Sequence, residues 1–350
     1  MVKTAIIGVS GYAGGELARL LARHPETELT FLSSESNAGK PLAAAFPGLS
    51  GTRAGSLVCE HGDLSRASAI ADLIFLAQEN GAAMKSAPVL LADGKKVIDI
   101  SADFRLRSPD AYSTWYKMPH TAPRLLESAV YGLPETNRDA IRRASLIANP
   151  GCHVTAATLA LAPLLAHRMI ETRGIIIDSK TGVSGAGRTK TDLIYRFSEA
   201  NESMKTYGVG GTHRHIPEIE QTLGQVAGEP VTVTFTPHLA PMTRGILATC
   251  YARLADGFTD ATVRAALTDY FAGHPFVIVR EAGDSPSTKD VAGSNFCHLA
   301  SAVDRRTGMV IVTSVIDNLV KGAAGQAVQN MNLMLGLPET AGLEGGGWWP

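Results

Sequence analysis

The chain has 350 residues, of which 45% are hydrophobic, and this length favours two domains over one. Lys and Arg number 32 against 33 Asp and Glu, so the formal net charge of −1 excludes a bulk attraction to nucleic acid or to anionic membranes. No run approaches the roughly 20 apolar residues of a membrane span, and MVKTAIIGVSGYAGG reaches glycines too early for a signal peptide. We therefore expect a cytoplasmic globular protein with no nucleic-acid or membrane partner.

The first third of the chain alternates short apolar runs with helical patterns. TAIIGV, ELTFLSS, LIFLA and KVIDIS predict strands, and GELARLLARH predicts the helix after the first of them. This alternation is typical of βαβ units around a parallel sheet.

A glycine pattern joins the first predicted strand to the first helix. Gly8, Gly11 and Gly14 form GxxGxxG, in which glycines permit a tight turn and a close approach of the backbone to a pyrophosphate at the helix N-terminus. The pattern favours a dinucleotide site over a purely structural turn because of its strand-to-helix context.

The choice between NADP and NAD is expected about 20 residues further on, at the end of the second strand. There SSESNAGK offers Ser33, Ser34, Ser36 and Lys40 to a 2′-phosphate, whereas Glu35 suits a free ribose. The local evidence is divided between the two cofactors.

Two further segments have the character of site loops. DISADFRLRS follows a parallel strand, where ligands collect, and its Arg105 is suited to a phosphate or carboxylate unless it forms a simple surface ion pair. DSKTGVSGAGR follows the strand GIIID, and its glycines and serines are unsuited to a core.

In NPGCHVTAATLALAPLL, a cysteine stands where a turn becomes an apolar helix. Pro150 and Gly151 form the turn, which places Cys152 in the first turn of the helix. Unpaired backbone N–H groups and the helix dipole favour a thiolate there, and the same amides stabilise an oxyanion. The motif predicts a nucleophile, although a cysteine can also occupy a helix start without a function.

The other cysteines, Cys59, Cys250 and Cys297, are widely spaced without a CxxC pair, so neither a disulfide framework nor a zinc knuckle is expected. Cys250 and Cys297 lie in apolar strand-like runs and are expected to be buried thiols.

GGTHRHIPEIEQ concentrates His213, Arg214, His215, Glu218 and Glu220 in one segment. We interpret His215 as a general acid/base with Glu218 positioning a group nearby. The HxH spacing also suits a metal, but no further ligand cluster is evident, and no metal site is predicted.

After Cys152 longer strands dominate, as in GIIIDSK, PVTVTFTPHL, RGILATCYARL and MVIVTSVID, with one clear helix among them, DATVRAALTDYFA. This pattern of many strands with one clear helix predicts an α+β domain on a mixed or antiparallel sheet. A last long helix is predicted from about Asn318 to Leu335.

These segments together resemble the N-acetyl-γ-glutamyl-phosphate reductases, within the wider semialdehyde dehydrogenase family. The resemblance runs nearly end to end, through GVSGYAGGEL, SADFR, YGLPE, NPGCHVTA, TGVSGAGR, HRHIPEIEQ, TPHLAPMTRGIL, PSTKDVAGSN and DNLVKGAAGQAVQNMN.

The resemblance implies an α/β protein with a Rossmann-type NADP-binding domain over residues 1–148, completed by the C-terminal segment 318–350. A catalytic α+β domain over 149–317 would carry the contacts of a homodimer or homotetramer. The implied reaction is NADPH-dependent reduction of N-acetyl-γ-glutamyl phosphate to N-acetyl-L-glutamate 5-semialdehyde, an arginine-biosynthesis step with phosphate release. Alternatives are a related reductase of aspartyl phosphate or N-acetyl-aminoadipyl phosphate, and a non-catalytic nucleotide-binding protein.

By match to the family motifs, Cys152 is the nucleophile that carries a thioacyl group and His215 is the acid/base, with His213 as the alternative for that role. Glu218, His213 and Arg105 are implied to contact the acyl-phosphate substrate. The residues implied to contact the cofactor are Gly8, Ser10, Gly11, Tyr12, Ala13, Gly14, Ser34, Ser36, Gly182 and Asn318.

Two positions depart from the family pattern. Gln78, Glu79 and Asn80 stand where such reductases often read Leu-Pro-His, and Glu35 stands where they often carry a basic residue. The first departure concerns the shape of a loop, and the second concerns the preference for NADP.

Overall fold

The computed structural model describes residues 1–348, which form two compact units. Unit 1 contains Met1–Pro150, Gly187–Thr189 and Ala323–Glu344, and unit 2 contains Gly151–Ala186, Lys190–Gly322 and, of the described residues, 345–348. The chain therefore passes from unit 1 to unit 2 within the NPGC motif, between Pro150 and Gly151.

Unit 1 is built on a six-stranded sheet in which every pairing is parallel. Its strands, in the order β2-β1-β3-β4-β6-β5, are β1 (Val2–Ile7), β2 (Thr27–Ser33), β3 (Leu73–Leu76), β4 (Lys96–Asp99), β5 (Val130–Tyr131) and β6 (Leu146–Ala148). Its first eight helices are α1 (Tyr12–Leu21), α2 (Leu42–Ala45), α3 (Arg53–Ser56), α4 (Leu64–Ile70), α5 (Ala83–Ala92), α6 (Pro109–Tyr116), α7 (Leu125–Ser128) and α8 (Pro134–Arg143).

The central strands of this sheet are apolar on both faces. All four residues of β3, LIFL, are buried, as expected of a parallel strand that is covered by helices on each side. A core cluster on one face includes Ile74, Leu76, Val97 and Tyr112.

The turn between β1 and α1 depends on two glycines. Gly8 has φ +92°, and a Cβ there would lie 2.5 Å from the Ala77 carbonyl oxygen. A Cβ on Gly14 would lie 2.7 Å from the Gly8 oxygen and 2.8 Å from the Val9 Cα. The helix therefore packs directly on the turn that precedes it, as the glycine pattern predicts.

Unit 2 contains a seven-stranded mixed sheet. Its strands, in the order β11-β12-β13-β10-β7-β9-β8, are β7 (Ile175–Thr181), β8 (Lys205–Thr206), β9 (Val233–Leu239), β10 (Ile246–Arg253), β11 (Val277–Val279), β12 (Cys297–Asp304) and β13 (Met309–Ile316). Its helices are α9 (Cys152–Ala166), α10 (Phe197–Ala200), α11 (Ile216–Ala227) and α12 (Asp260–Tyr270). The expected α/β class, with a Rossmann-type sheet and a second mixed sheet, is confirmed.

Helix α9 forms the core of unit 2. Every residue from His153 to Leu165 is buried, and the helix contacts β10 and β13 as well as helices α11 and α12. A helix that is apolar on all sides is stable when it is surrounded in this way, and this is the arrangement that its sequence predicts.

The last helix begins with an irregular turn. A π-helical turn over Val320–Ala324 precedes α13 (Gly325–Met334), and the Gly322 N–H donates to the Asp317 carbonyl, five residues back. The segment predicted as a long helix, from about Asn318 to Leu335, is thus helical from Val320 to Met334, and its first turn is π-helical. The α13 segment contacts α1, α8 and β4 of unit 1.

Within residues 1–348, no helix has both the length and the hydropathy needed to cross a membrane.

The packing of α1 on its turn predicts that Gly14→Ala lowers the melting temperature by several degrees. The added methyl meets backbone atoms that cannot rotate away, and overpacking of this kind typically costs about 1–3 kcal/mol. Gly11→Ala is the control, because a Cβ there meets no described atom within 4 Å. Equal melting temperatures for the two variants, measured by calorimetry without ligand, would contradict this packing.

Candidate active site

Cys152 is the first residue of α9. Gly151, the N-cap, has an extended backbone (φ −69°, ψ 144°) and no side chain of its own with which to cap the helix. The first backbone hydrogen bond of the helix runs from the Thr155 N–H to the Gly151 oxygen at 3.0 Å. The thiol of Cys152 is thus partly exposed beside the first amides of a 15-residue helix, as the motif predicts.

The remaining cysteines have different surroundings. Cys59, Cys250 and Cys297 are buried, which confirms the expectation for the last two, and burial raises the pKa of Cys250 to about 12. Burial also raises the pKa of Cys59, so Cys59 and Cys250 stay in the unreactive neutral form.

Gly151 brings the HRHIPE segment to the start of α9. A Cβ on Gly151 would lie 2.6 Å from His215 Nε2, so the imidazole packs directly against the glycine. The Gly151 N–H donates to Glu218 Oε1 at 2.8 Å, and Glu218 is fully buried. Cys152, His215 and Glu218 are therefore neighbours within unit 2.

On its other side, Cys152 packs against the π-helical turn. A Cβ on Gly322 would lie 2.8 Å from the Cys152 Cβ. The wide turn and its glycine thus leave space for the cysteine. Fully buried Lys321 lies in the same turn, with its ammonium 5.7 Å from the centroid of the Phe276 ring.

The two histidines of the HRH segment differ in their environment. His213 Nδ1 accepts the His215 N–H at 3.1 Å, so the neutral ring of His213 carries its proton on Nε2. Burial, with a smaller contribution from the charge of Arg214, lowers the pKa of His213 to about 4. His213 is consequently neutral near pH 7.

His153 is a site residue that sequence reasoning missed, although it directly follows the cysteine. It is 2% exposed, and its ring nitrogens lie 2.7 Å from Ser179 Oγ and 3.0 Å from the hydroxyl of Tyr207. Burial, together with His213, lowers the pKa of His153 to about 3, and burial raises the pKa of Tyr207. His153 therefore ties the first turn of α9 to β7 as a neutral ring.

Four rings form a compact cluster beside Cys152. The centroid of His213 lies 4.9 Å from that of His215, 5.4 Å from Tyr207 and 5.9 Å from His153. With Phe235 packed against His153 and His213, the cluster is a poor environment for more than one positive charge.

Two residues predicted to contact the cofactor lie in loops of unit 2. Asn318 is 2% exposed, with Oδ1 accepting the Gly245 N–H at 2.8 Å and Nδ2 donating to Ser184 Oγ at 3.0 Å. A Cβ on Gly182 would lie 2.6 Å from the Thr243 oxygen. Both residues hold neighbouring loops together, and their cofactor contacts stay predictions.

Arg105 lies in unit 1, in the loop after β4. Its Nε donates to the Asn149 oxygen at 2.7 Å and its Nη2 to the Ile100 oxygen at 2.8 Å. Backbone carbonyls at the carboxyl ends of β4 and β6 thus fix the guanidinium, and its contact with substrate stays a prediction.

Residues 78–80, which depart from the family pattern, form a turn that is bound to the SADFR loop. Asn80 Oδ1 accepts the Ala102 N–H at 3.0 Å, and the next residue, Gly81, donates its N–H to Asp103 at 2.8 Å. Gln78 accepts a hydrogen bond from Ser86 Oγ at 3.1 Å. The side chains of Gln78 and Asn80 thus hold this turn in place through their own hydrogen bonds.

The glycine turn fits a dinucleotide phosphate. Space beyond Gly11 is open within the described chain, and no described side chain caps α1, which leaves the first amides of α1 to bind an anion. Ser10 and Tyr12 flank Gly11, and Ala13 lies in the first turn of α1. Ser33 Oγ accepts the Gly8 N–H at 3.0 Å, so the residues after β2 lie beside the turn.

Arg188 is a second residue that the sequence reasoning missed, although its SGAGR run was recognised as a loop. Its guanidinium donates to the Ser10 oxygen at 3.3 Å and to the Ala45 oxygen at 3.0 Å, and lies 4.7 Å from the centroid of the Phe46 ring. A cation is therefore placed at the glycine turn.

Among residues 1–348, no three His, Cys, Asp or Glu side chains are grouped so as to hold a metal ion.

Two family models cover most of the chain. Residues 3–144 match the NAD binding domain of semialdehyde dehydrogenase, and residues 152–318 match its dimerisation domain.

Curated relatives align over nearly the whole chain. The N-acetyl-gamma-glutamyl-phosphate reductase of Pelotomaculum thermopropionicum is 54% identical, covering 100% of this chain and 99% of the relative. That of Geobacter sulfurreducens is also 54% identical, with 99% of each chain covered.

Solved structures share the fold at low identity. Aspartate semialdehyde dehydrogenase II from Vibrio cholerae, complexed with ASA, has a TM-score of 0.72 at 19% identity, covering 96% of this chain and 98% of its own. Aspartate semialdehyde dehydrogenase with NADP from Candida albicans has a TM-score of 0.69 at 15% identity, covering 96% of this chain and 98% of its own.

Asp99 predicts a pH dependence of stability. It is fully buried at the end of β4, and burial, together with the charge of Asp103, raises its pKa to about 7. Because the folded state holds this proton more tightly than the unfolded chain does, the stabilisation is complete below about pH 4 and is lost as the pH rises through about 7.

We therefore expect the melting temperature of the parent protein to fall as the pH rises from about 4 to about 7 and to level off above that, and Asp99→Asn to reduce this fall. The difference corresponds to a few kcal/mol at most. Exposed Asp93→Asn is the matched control. Identical pH profiles for the parent and Asp99→Asn would contradict the assignment.

Proposed function

The chain belongs to the semialdehyde dehydrogenase family, and on that premise we propose that it reduces N-acetyl-γ-glutamyl phosphate to N-acetyl-L-glutamate 5-semialdehyde with NADPH, releasing phosphate. The observation that carries the chemistry is the start of α9, where Cys152 stands beside the helix amides and His215 packs against Gly151. Identity of 54% over the whole chain to reductases of this name supports the substrate.

In the first step, the Cys152 thiolate attacks the γ-acyl carbon of the substrate. The amides at the start of α9 stabilise both the thiolate before attack and the oxyanion after it. The tetrahedral intermediate then loses phosphate as its C–O bond breaks, which leaves a thioester on Cys152. Phosphate is a good leaving group, so this step needs little proton transfer.

NADPH, when bound, supplies the hydride that converts the thioester carbonyl into a thiohemiacetal. His215 donates a proton to the resulting alkoxide, and takes it back when the C–S bond breaks and the aldehyde leaves. Cys152 returns to its thiolate form. The net reaction consumes one hydride for each aldehyde formed and one proton from solvent, which the released phosphate takes up.

His215 is proposed for this role in preference to His213. The pKa of His213 is lowered to about 4, so its ring is uncharged at neutral pH, and its Nδ1 accepts a backbone hydrogen bond. His215 packs on the residue before the nucleophile, which supports direct exchange with the reacting oxygen. Glu218 accepts the Gly151 N–H and thereby holds the start of α9 in place. We also propose that Glu218 contacts the substrate.

The cofactor is proposed to bind through its pyrophosphate at the glycine turn of unit 1. Uncapped amides of α1, the open space beyond Gly11 and the guanidinium of Arg188 support this assignment. Further contacts are proposed for Gly8, Ser10, Tyr12, Ala13, Gly14, Ser34, Ser36, Gly182 and Asn318.

Arg105 is proposed as an anchor for a phosphate or carboxylate of the substrate, since its guanidinium is held rigidly by two carbonyls.

The match to a dimerisation domain supports assembly as a homodimer or homotetramer.

The reaction is tested in the oxidative direction by NADPH formation with phosphate, offering N-acetylglutamate 5-semialdehyde and aspartate semialdehyde in parallel. We expect phosphate-dependent turnover with the acetylated aldehyde at a kcat/KM at least about 10²-fold above that with the other. A preference for aspartate semialdehyde would reject the substrate.

The same assay tests the nucleophile. Cys152→Ser is expected to lose about 10³-fold or more in kcat while its affinity for NADPH is unchanged, because a hydroxyl at this position is not ionised. Cys59→Ser is the control, since Cys59 is a buried thiol of unit 1. Near-parental kcat for Cys152→Ser would reject covalent catalysis.

A further inference from the structure

The segment after β2 is the part of a Rossmann domain that meets the adenosine ribose. An acidic residue there usually accepts hydrogen bonds from the ribose hydroxyls of NAD, and it repels the additional phosphate of NADP. In this chain, Glu35 stands two residues beyond the end of β2. The preference for one cofactor therefore depends on where the carboxylate of Glu35 points.

Both oxygens of that carboxylate are already hydrogen-bonded. Glu35 Oε2 lies 2.8 Å from His61 Nδ1, and Oε1 accepts the Gly62 N–H at 2.9 Å. Because an ionised carboxylate only accepts, His61 Nδ1 must carry a proton and donate it. These two bonds lower the pKa of Glu35, with the His61 bond as the larger cause.

The backbone holds His61 and Gly62 at this position. The Glu60 N–H donates to the Leu32 oxygen at 2.8 Å, and the Ser34 N–H donates to the Glu60 oxygen at 2.9 Å. The segment before His61 is thus paired in parallel with the end of β2. The Gly62 amide is consequently presented to Glu35 by main-chain pairing and does not depend on a flexible side chain.

The neighbouring groups suit a phosphate. Ser34 Oγ lies 3.4 Å from Ser36 Oγ, and Asn37 Nδ2 lies 3.0 Å from Ser36 Oγ. Exposed Lys40 adds a positive charge in the same segment. Hydroxyl, amide and ammonium groups are donors of the kind that bind phosphate oxygens.

We propose that His61 and Gly62 hold the Glu35 carboxylate away from the ribose, and that this restraint is what allows Ser34 and Ser36 to receive the 2′-phosphate of NADP. The inference rests on the proposed function, because it assumes a nicotinamide dinucleotide at this turn. In this proposal, Glu35 and His61 together determine the preference for NADP over NAD, and His61 acts on the cofactor only through the position of the Glu35 carboxylate.

The test is a double-mutant cycle read out by binding. Dissociation constants of NADPH and NADH are measured at about neutral pH, at fixed ionic strength, for the parent protein, His61→Ala, Glu35→Gln and the double variant. The two side chains are 75% and 74% exposed, so these substitutions leave the core unchanged. Arg66→Ala is the matched control, since it removes the adjacent ion pair between Arg66 and Glu60.

His61→Ala is expected to weaken NADPH binding about fivefold or more and to leave NADH binding equal or tighter, because the Gly62 N–H alone then restrains the carboxylate, which turns towards the ribose more readily. The double variant is expected to regain the parental NADPH affinity, since it has no carboxylate to release. Arg66→Ala is expected to leave the ratio of the two dissociation constants unchanged.

An unchanged NADPH-to-NADH ratio in His61→Ala overturns the proposal, and so does an equal loss of NADPH affinity in His61→Ala and the double variant. The second result would mean that His61 acts on the phosphate directly. Failure of the parent to bind either nucleotide would instead reject the dinucleotide site itself, and with it the proposed reaction.

Discussion

Gly151 must lack a side chain, because the imidazole of His215 fills the space that a Cβ would occupy. The same residue is the N-cap of α9 and donates its N–H to the buried carboxylate of Glu218. Gly151 therefore fixes where the helix begins, where the imidazole lies and where one oxygen of the carboxylate is hydrogen-bonded. The placement of Cys152 follows from these three contacts.

The surroundings of this position limit where charge can develop. Burial keeps His153 and His213 neutral at physiological pH, and both rings are held by hydrogen bonds. A low-dielectric cluster of this kind strengthens the effect of the helix amides on a nearby thiolate. The neutral rings thus support the electrostatic role of the start of α9 and leave proton exchange to His215 in the proposed mechanism.

Local sequence patterns were sufficient for the architecture and for the start of α9. Apolar runs and the glycine pattern predict the parallel sheet, and NPGC followed by a long apolar run predicts a cysteine at a helix N-terminus. Sequence could not give the π-helical turn, which packs through Gly322 against Cys152, a residue far away in the sequence. Nor could it pair Glu35 with His61, since 26 residues separate them and the pairing depends on the strand register.

The central claim is that Cys152 forms a covalent thioacyl enzyme. The most direct measurement is intact-protein mass spectrometry, with peptide mapping, after mixing the protein with N-acetyl-γ-glutamyl phosphate in the absence of NADPH. We expect one N-acetylglutamyl group on Cys152, which disappears when NADPH is added and is absent from Cys152→Ser. An unmodified Cys152 in protein that turns over the same substrate, or a group attached to another residue, would contradict it.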